Sequence, residues 1–211
     1  MEPRKQKTPK PARRPWSEYY ERTRSVGASL SLIEALKNVE HKDAALDLGS
    51  GSGRDSLFLL DQGFGHVVAV DAEAGAADVL NHVPEAKRDD LEFVQARFDE
   101  FEYGDARYDL INAQFALPFN PPETFDEMFS RLKQSLKPSG VFVGTFFGEN
   151  DEWNTSVSKQ TFHSRAEVEA LLSGLEIIKL EEEDNPDGRL ADGTPKHWHR
   201  FIVIARRPPK Q

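Results

Sequence analysis

The chain has 211 residues, of which 38% are hydrophobic and 30% are charged, and its net charge at pH 7 is −9. This length supports one sizeable hydrophobic core and is too short for two comfortable ones. No apolar run approaches the ~18 residues that a membrane-spanning helix needs. The absence of cysteine excludes disulfides, thiol nucleophiles and thiolate metal sites.

The charge is unevenly distributed along the chain. Residues 1–14 contain six basic residues and one acidic residue, so this segment carries +5 and the remainder carries −14. Four prolines disfavour a helix, and we predict a disordered, solubilising tail over residues 1–15, with a nucleic-acid or partner-binding arm as the alternative. The acidic remainder argues against nucleic acid and membrane surfaces as partners. There is no apolar core of an export signal, so we expect a cytoplasmic protein.

Apolar residues at helical spacing over residues 16–40 predict an N-terminal helix. Short apolar runs then alternate with amphipathic stretches. The runs predict strands at 44–48, 66–70, 91–95, 108–114 and 141–147, and the stretches between them predict helices at 54–62, 72–83 and 123–136. Strands that alternate with helices in this way are typical of a parallel sheet with helices on both faces.

The last third of the chain has a different pattern. A predicted helix at 164–172 is followed by two strands, 175–183 and 198–206, without a helix between them, and such strands pair as a hairpin. We therefore predict one α/β domain over residues 16–207, Rossmann-like and doubly wound. Its seven-stranded sheet is mostly parallel, with an antiparallel final strand.

The most specific stretch is ALDLGSGSGRDSLFLL, residues 45–60, which places three glycines between a strand and a helix. Gly49 allows a sharp turn, Gly51 lets a ligand approach the backbone, and Gly53 permits close packing at the helix entry. A phosphate-binding P-loop requires Gly-Lys-Ser/Thr here, and a dinucleotide fingerprint requires glycine at position 54. Asp47, two residues before the first glycine, would repel a pyrophosphate and attract an ammonium group.

The string DLGSGSG, residues 47–53, resembles motif I of the class I S-adenosylmethionine-dependent methyltransferases. This resemblance implies S-adenosylmethionine as cofactor and S-adenosylhomocysteine as product. It places Asp47 near the methionine amino group and the glycines beside the methionine and ribose. AVDAE, residues 69–73, resembles motif II, whose acid binds both ribose hydroxyls; that role falls on Asp71.

Two further stretches resemble this family less closely. VQARFDEF, residues 94–101, is similar to the segment that contacts adenine, although Arg97 stands where an acid is common. Asp99 is one substitute, and backbone and ring contact from Phe98 is another. YDLINAQFALPF, residues 108–119, resembles motif IV, and Asn112-Ala-Gln-Phe replaces the Asn/Asp-Pro-Pro-Tyr/Phe of enzymes that methylate nucleobase nitrogen. The predicted cofactor-binding residues are Asp47, Gly49, Ser50, Gly51, Arg54, Asp71, Ala72, Arg97, Phe98 and Gln114.

The start of the final strand should lie at the mouth of the site, since ligands bind outside the carboxyl ends of parallel strands. His197 and His199 are catalytic candidates there, as a base or an acceptor-binding group, and structural histidines are the alternative. We predict acceptor-binding or lid roles for Trp16, Tyr20, Phe115 and Trp198, with packing of the N-terminal helix as the alternative. No metal site is predicted.

These observations favour transfer of a methyl group from S-adenosylmethionine to a small-molecule acceptor, by positioning rather than by covalent catalysis. GRDSLFLL and KHWHRFIVIAR also resemble the tellurite-resistance branch of small bacterial methyltransferases. Three alternatives stay open: a non-catalytic S-adenosylmethionine-binding module, a macromolecular methyltransferase and a nicotinamide oxidoreductase. The sequence argues against nucleic acid and for a small molecule as the partner.

Overall fold

A computed structural model describes residues 16–210 of the chain, and the predicted tail over residues 1–15 lies outside the described residues. The strands are β1 (Ala44–Leu48), β2 (His66–Asp71), β3 (Leu91–Gln95), β4 (Tyr108–Ala113), β5 (Leu136–Gly148), β6 (Phe162–His163), β7 (Glu176–Asn185) and β8 (Trp198–Arg206). The α-helices are α1 (Trp16–Arg24), α2 (Leu30–Ala35), α3 (Arg54–Asp61), α4 (Pro122–Ser135) and α5 (Arg165–Leu171).

These strands form a single mixed sheet in the order β3-β2-β1-β4-β5-β8-β7. The first five strands are parallel, whereas β8 is antiparallel to both of its neighbours, β5 and β7. The predicted doubly wound sheet with an antiparallel final strand is confirmed. Two details differ from the prediction: the two-residue strand β6 extends the sheet beside β5, and the antiparallel strand lies inside the sheet with β7 at its edge.

Two hydrophobic cores, one on each face, hold the helices against the sheet. Alternate residues of β1 point to opposite faces, so Leu46 and Leu48 join the core under α4 and α5, while Ala45 joins the core under α2 and α3. Burial on both faces explains why the parallel strands read as continuous apolar runs. Among residues 16–210, every helix is too short or too polar to cross a lipid bilayer.

The predicted N-terminal helix is broken into α1 and α2 by residues 25–29. Ser29 explains the break, because its amide and its hydroxyl both donate to the Asp55 carboxylate, at 2.9 and 2.7 Å. Ser29 therefore turns away from α1 to begin α2 against the start of α3. This tertiary contact overrides the helical spacing that the sequence shows.

Two other segments differ in detail from the sequence-based prediction. The helix expected over residues 72–83 is a 3-10 helix, Ala74–His82. The strand expected over residues 141–147 begins earlier, at Leu136, and contains an irregularity where Ser139 adopts a φ of 64° and the pairing with β4 shifts register. In both places the chain follows the predicted path with a different local hydrogen-bond pattern.

The entry to α3 is tightly packed. Gly53 precedes the helix with a φ of 76°, and a Cβ on this residue would lie 2.0 Å from Val79 Cγ2. A Cβ on Gly49 would lie 2.4 Å from the Cβ of Ala116. The turn therefore needs glycine at these two positions because its neighbours leave no room for a side chain.

Replacing Gly53 by alanine tests this packing. We expect Gly53→Ala to lower the free energy of unfolding by about 2–5 kcal/mol, because left-handed strain and overpacking add together. Gly63→Ala is the matched control, since Gly63 has a φ of 89° and open space around its Cβ position. The control should lose only about 1–2 kcal/mol. Equal losses in the two variants, measured by urea unfolding, would contradict the packing argument.

Candidate active site

A small cleft opens at the carboxyl ends of β1 and β4, where the order of the parallel strands reverses. Ligands bind at this switch point in open α/β sheets. The cleft is lined by Tyr19, Thr23, Asp47, Gly49, Ser50, Gly51, Ser52, Arg54, Asp55, Asn112, Gln114 and Phe115. Six predicted cofactor-binding residues are in this set, namely Asp47, Gly49, Ser50, Gly51, Arg54 and Gln114. Phe115 also lines the cleft, next to Gln114.

Four backbone amides of the glycine turn already have hydrogen-bond partners within the protein. The amides of Gly49 and Ser50 both donate to the Val70 carbonyl, at 2.7 and 3.0 Å, and that of Gly53 donates to the Ser50 carbonyl at 2.8 Å. The Gly51 amide donates to Asp71 Oδ2 at 2.9 Å. A phosphate-binding loop needs such amides to be free, so this turn is poorly suited to a pyrophosphate.

Asp71 ends β2 and accepts three hydrogen bonds. Besides the Gly51 amide, its Oδ1 accepts from the Glu73 amide at 2.9 Å and from the Tyr20 hydroxyl at 3.2 Å. Tyr20 is buried, and burial together with the neighbouring Asp71 raises the pKa of its phenol. The phenol therefore stays protonated and acts as a donor. Helix α1 thus lies directly over the carboxylate that the sequence assigns to the ribose.

Asp47 is almost fully buried, with 2% of its surface exposed. Its Oδ2 accepts from the Ser56 hydroxyl at 2.5 Å and its Oδ1 accepts from Asn112 Nδ2 at 2.8 Å. Burial and the nearby Asp55 carboxylate raise the pKa of Asp47 to about 7, against the lowering effect of these two hydrogen bonds. A cation placed beside Asp47 would reverse this shift.

Asp55 lies at the start of α3 and links the cleft to α2. Besides Ser29, its Oδ2 accepts a longer bond from Asn112 Nδ2, at 3.3 Å. Arg54 Nε is 3.6 Å from its Oδ1, and the Arg54 guanidinium also donates to the Ser29 hydroxyl at 2.8 Å. Arg54 is therefore held at the rim of the cleft, where it compensates one of two neighbouring carboxylates.

Three buried polar atoms of the cleft lining have no partner within the described residues. They are Ser50 Oγ, Asn112 Oδ1 and Gln114 Nε2. Buried polar groups are normally hydrogen-bonded, so orphaned atoms that share one cleft indicate a missing ligand. The set offers an acceptor beside Asp47 and a donor beside Phe115, which suits a ligand with both an ammonium and a carboxylate.

The remaining predicted cofactor residues surround the cleft without lining it. Ala72 is exposed and its carbonyl accepts from Gln95 Nε2 at 3.2 Å. The Phe98 ring reaches to within 3.4 Å of the position that a Cβ on Gly49 would occupy. Arg97 is exposed and binds Asp99 through two hydrogen bonds of 3.1 Å, so its guanidinium is committed to a surface pair. Their roles toward adenine stay predictions.

A row of aromatic side chains begins at Phe115 and runs across the ends of β4, β5 and β8. We define this aromatic wall as Phe115, Phe119, Phe147, Trp153 and Trp198. Consecutive rings touch: the centroids of Phe115 and Trp198 are 5.7 Å apart, and those of Trp198 and Phe147 are 5.6 Å apart. Trp16 of α1 packs edge-on against Phe119, with centroids 5.3 Å apart. The predicted acceptor residues Trp16, Phe115 and Trp198 therefore gather beside the cleft.

The two histidine candidates are engaged elsewhere. His199 is buried, its Nδ1 accepts from the Asn150 amide at 3.0 Å, and its Nε2 donates to Glu182 at 3.1 Å. His197 Nε2 pairs with Asp184. Both rings face acids of β7, and neither lines the cleft, so this geometry favours the structural interpretation of both residues.

The sequence analysis did not identify several of the residues that line the cleft. Tyr19 and Thr23 lie on α1, and the Thr23 hydroxyl donates to the Ser52 hydroxyl at 3.2 Å. Nothing local marks Thr23, because its contact with Ser52 spans 29 positions. Asp55 and Asn112 lie within the quoted motifs. A polar residue in the first turn of a helix, as Asp55 is, or near the end of a buried strand, as Asn112 is, could have indicated that they line the site.

Across residues 16–210, no group of three or more His, Asp or Glu side chains has a metal-binding arrangement.

Residues 45–140 match a family model described as a methyltransferase domain. Among curated proteins, the mRNA cap guanine-N(7) methyltransferase 1 of Oryza sativa subsp. japonica is 29% identical over 119 residues, which are 49% of this chain and 32% of that protein. The chain spans less than half the length of the curated relatives it matches.

Solved structures show the same fold. TehB from Haemophilus influenzae superposes with a TM-score of 0.72 at 17% identity, over 91% of this chain and 65% of that one. The 1,6-didemethyltoxoflavin-N1-methyltransferase of Burkholderia thailandensis, solved with its acceptor and S-adenosylhomocysteine, gives a TM-score of 0.61 at 21% identity, over 92% and 87% of the two chains. Residues 45–140 are thus similar to a methyltransferase domain, and the sheet has the fold of solved S-adenosylmethionine-dependent methyltransferases.

Proposed function

We propose that this chain transfers a methyl group from S-adenosylmethionine to a small-molecule acceptor. The observation that carries the proposal is the chemistry of the cleft. Its turn amides are consumed internally, while carboxylates and orphaned polar atoms surround the remaining space. Such a lining favours a cationic, amino-acid-like ligand over a pyrophosphate.

The residues present fit this cofactor. Asp47 and the orphaned Asn112 Oδ1 would accept from the methionine ammonium, and Arg54 would face its carboxylate. Asp71 would accept from the ribose hydroxyls at the end of β2. When bound, S-adenosylmethionine supplies an electrophilic methyl group on a sulfonium.

The chain's own contribution is to position the reacting groups and to exclude water. Holding two reactants in a reactive geometry can lower a barrier by ~7–11 kcal/mol. A general base is required only when the acceptor is protonated at working pH, so the engagement of both histidines with β7 is compatible with catalysis. Helix α1, anchored to Ser52 by Thr23 and to the aromatic wall by Trp16, would close the cleft from above.

Two observations bear on the acceptor. The acceptor of the Burkholderia structure is a small molecule, and the charge of −14 outside the basic segment opposes a nucleic-acid acceptor. The likeness to an mRNA cap methyltransferase favours a second candidate, a macromolecular acceptor recruited through the basic residues 1–14. Deletion of residues 1–14 separates the two, because it should leave small-molecule turnover unchanged and abolish a tail-dependent reaction.

Asp71→Ala should weaken binding of S-adenosylhomocysteine by about 1.5–3 kcal/mol per lost charge-assisted hydrogen bond, or ~10–150-fold. Isothermal titration calorimetry measures this change. Asp61→Ala is the control, because Asp61 is an exposed acid at the far end of α3 that pairs with Lys87 at 3.0 Å. An unchanged dissociation constant in Asp71→Ala would remove this residue from the site.

Tyr20→Phe should strengthen cofactor binding by about 10-fold, because the phenol no longer competes with the ribose hydroxyls for Asp71. The ring and its packing against Trp16 are kept. Tyr108→Phe is the control, because Tyr108 begins β4 at the end of the strand opposite the cleft. Weaker binding by Tyr20→Phe would show instead that the hydroxyl contacts the bound cofactor.

Binding should also be linked to the titration of Asp47. Its pKa is raised to about 7, so Asp47 is protonated below that pH, and an arriving ammonium favours the ionised form. Binding therefore releases a proton, and affinity rises with pH up to about 7, by at most about tenfold per pH unit. Calorimetry at pH 6 in two buffers of different ionisation enthalpy measures the released proton. Asp47→Asn should release none, and equal proton release in both proteins would exclude Asp47.

A further inference from the structure

We propose that the aromatic wall binds a planar, uncharged aromatic ring as the methyl acceptor. This inference rests on the proposed function, since it names the acceptor class of the same site. Four features of the described residues support it: the position of the wall, the exposure of its rings, the backbone of Phe115 and the pairing of the nearby charges.

The wall starts inside the cleft. Phe115 lines the cleft beside Gln114, and from there the rings continue without a gap through Trp198 to Trp153, whose centroids are 5.5 Å apart. Phe119 closes the row, 6.2 Å from Phe147. A ligand that extends from the cleft past Phe115 therefore meets aromatic rings, which are flanked by the cations Arg200 and Lys196.

Four of the five rings of the wall differ in burial from those of the core. Phe147 of the wall is fully buried, as are Phe142 and Phe146 of β5, whereas Phe115, Phe119, Trp153 and Trp198 keep part of their surface exposed. Partly exposed rings offer a flat apolar face, and such faces prefer stacked or edge-on contact with another ring.

Phe115 is held in an unusual backbone conformation. Its φ is 53°, in the left-handed region that a bulky residue rarely adopts. Such strain persists only where the surroundings enforce it, and it clusters at ligand sites. The ring is fixed between Trp198 and the Arg200 guanidinium, which lies 5.1 Å from the ring centroid.

The charges beside the wall are internally compensated. Lys196 Nζ lies 3.7 Å from the Trp198 centroid and 4.4 Å from that of Trp153, and it pairs with Asp151 Oδ1 at 2.5 Å. Arg200 donates twice to Glu183, at 2.9 and 2.7 Å. An anionic acceptor would meet cations already paired, and a cationic acceptor would be repelled by Lys196 and Arg200. An uncharged ring has neither conflict.

The Lys196–Asp151 pair also fixes the wall in place. Both side chains are at most 1% exposed. Asp151 Oδ1 further accepts from the Trp153 amide at 3.0 Å, and Oδ2 accepts from the His199 amide at 3.2 Å. The pair therefore joins the loop after β5 to the start of β8, which sets the positions of Trp153 and Trp198.

The test uses the full chain, saturated with S-adenosylhomocysteine, and three probes of similar size: 2-naphthol, its saturated analogue decahydro-2-naphthol and the anion 2-naphthoate. Calorimetry should show 2-naphthol binding at least ~10-fold more tightly than either of the others. Trp198→Leu keeps apolar volume but removes the ring, and should weaken 2-naphthol binding by about tenfold. Phe93→Leu, on the distant strand β3, is the control and should bind like the unmodified chain.

Titration with S-adenosylhomocysteine alone separates the two hypotheses. If the unmodified chain binds no S-adenosylhomocysteine, the proposed function fails. If S-adenosylhomocysteine binds but the three probes bind equally, or none binds, the aromatic-acceptor inference is overturned and the proposed function stands. Tighter binding of 2-naphthoate would likewise overturn it, because the wall would then recognise charge. Retained affinity for S-adenosylhomocysteine in Trp198→Leu shows that this variant is folded.

Discussion

The architecture of the cleft depends on the Asp71 carboxylate. It joins three segments that are distant in sequence: the end of β2, the Gly51 amide of the glycine turn and the Tyr20 hydroxyl of α1. A carboxylate that is only 8% exposed needs such donors to offset the loss of hydration. The same bonds hold the glycine turn against β2 and hold α1 beside the cleft. The Asp71 carboxylate therefore fixes the positions of both segments.

Two carboxylates, Asp47 and Asp55, and one cation, Arg54, line the cleft. Asp47, Asp55 and Asp71 are all buried. Burial and the neighbouring Asp55 carboxylate both raise the pKa of Asp47. A protein surface that concentrates acids in a low-dielectric cleft stabilises a cationic ligand there. The consumed turn amides add to this preference, since they deny a phosphate its usual donors. Electrostatics therefore distinguishes this glycine turn from the dinucleotide and P-loop turns that it resembles in outline.

Polar and aromatic groups are separated at the switch point between β1 and β4. Acids and glycines on the β1–β2 side form the polar half, while the ends of β4, β5 and β8 form the aromatic half. The buried Lys196–Asp151 pair belongs to the aromatic half. A buried ion pair adds little net stability compared with apolar packing, and here it connects two loops in one fixed geometry. Helix α1 contacts both halves, through Tyr20 on one side and Trp16 on the other.

Local patterns determined much of this protein. Hydrophobic periodicity predicted the order of strands and helices, and Asp47 with the glycines of residues 49–53 predicted a turn that favours an ammonium group, because these signals depend on neighbours in sequence. The resemblance of residues 47–53 and 69–73 to methyltransferase motifs implied S-adenosylmethionine. Tertiary structure decided the rest. Asp55 breaks the N-terminal helix at Ser29, Tyr20 reaches Asp71, and the acids of β7 turn His197 and His199 away from the cleft. Each of these contacts depends on which strands become neighbours, and that is fixed only when the two hydrophobic cores pack.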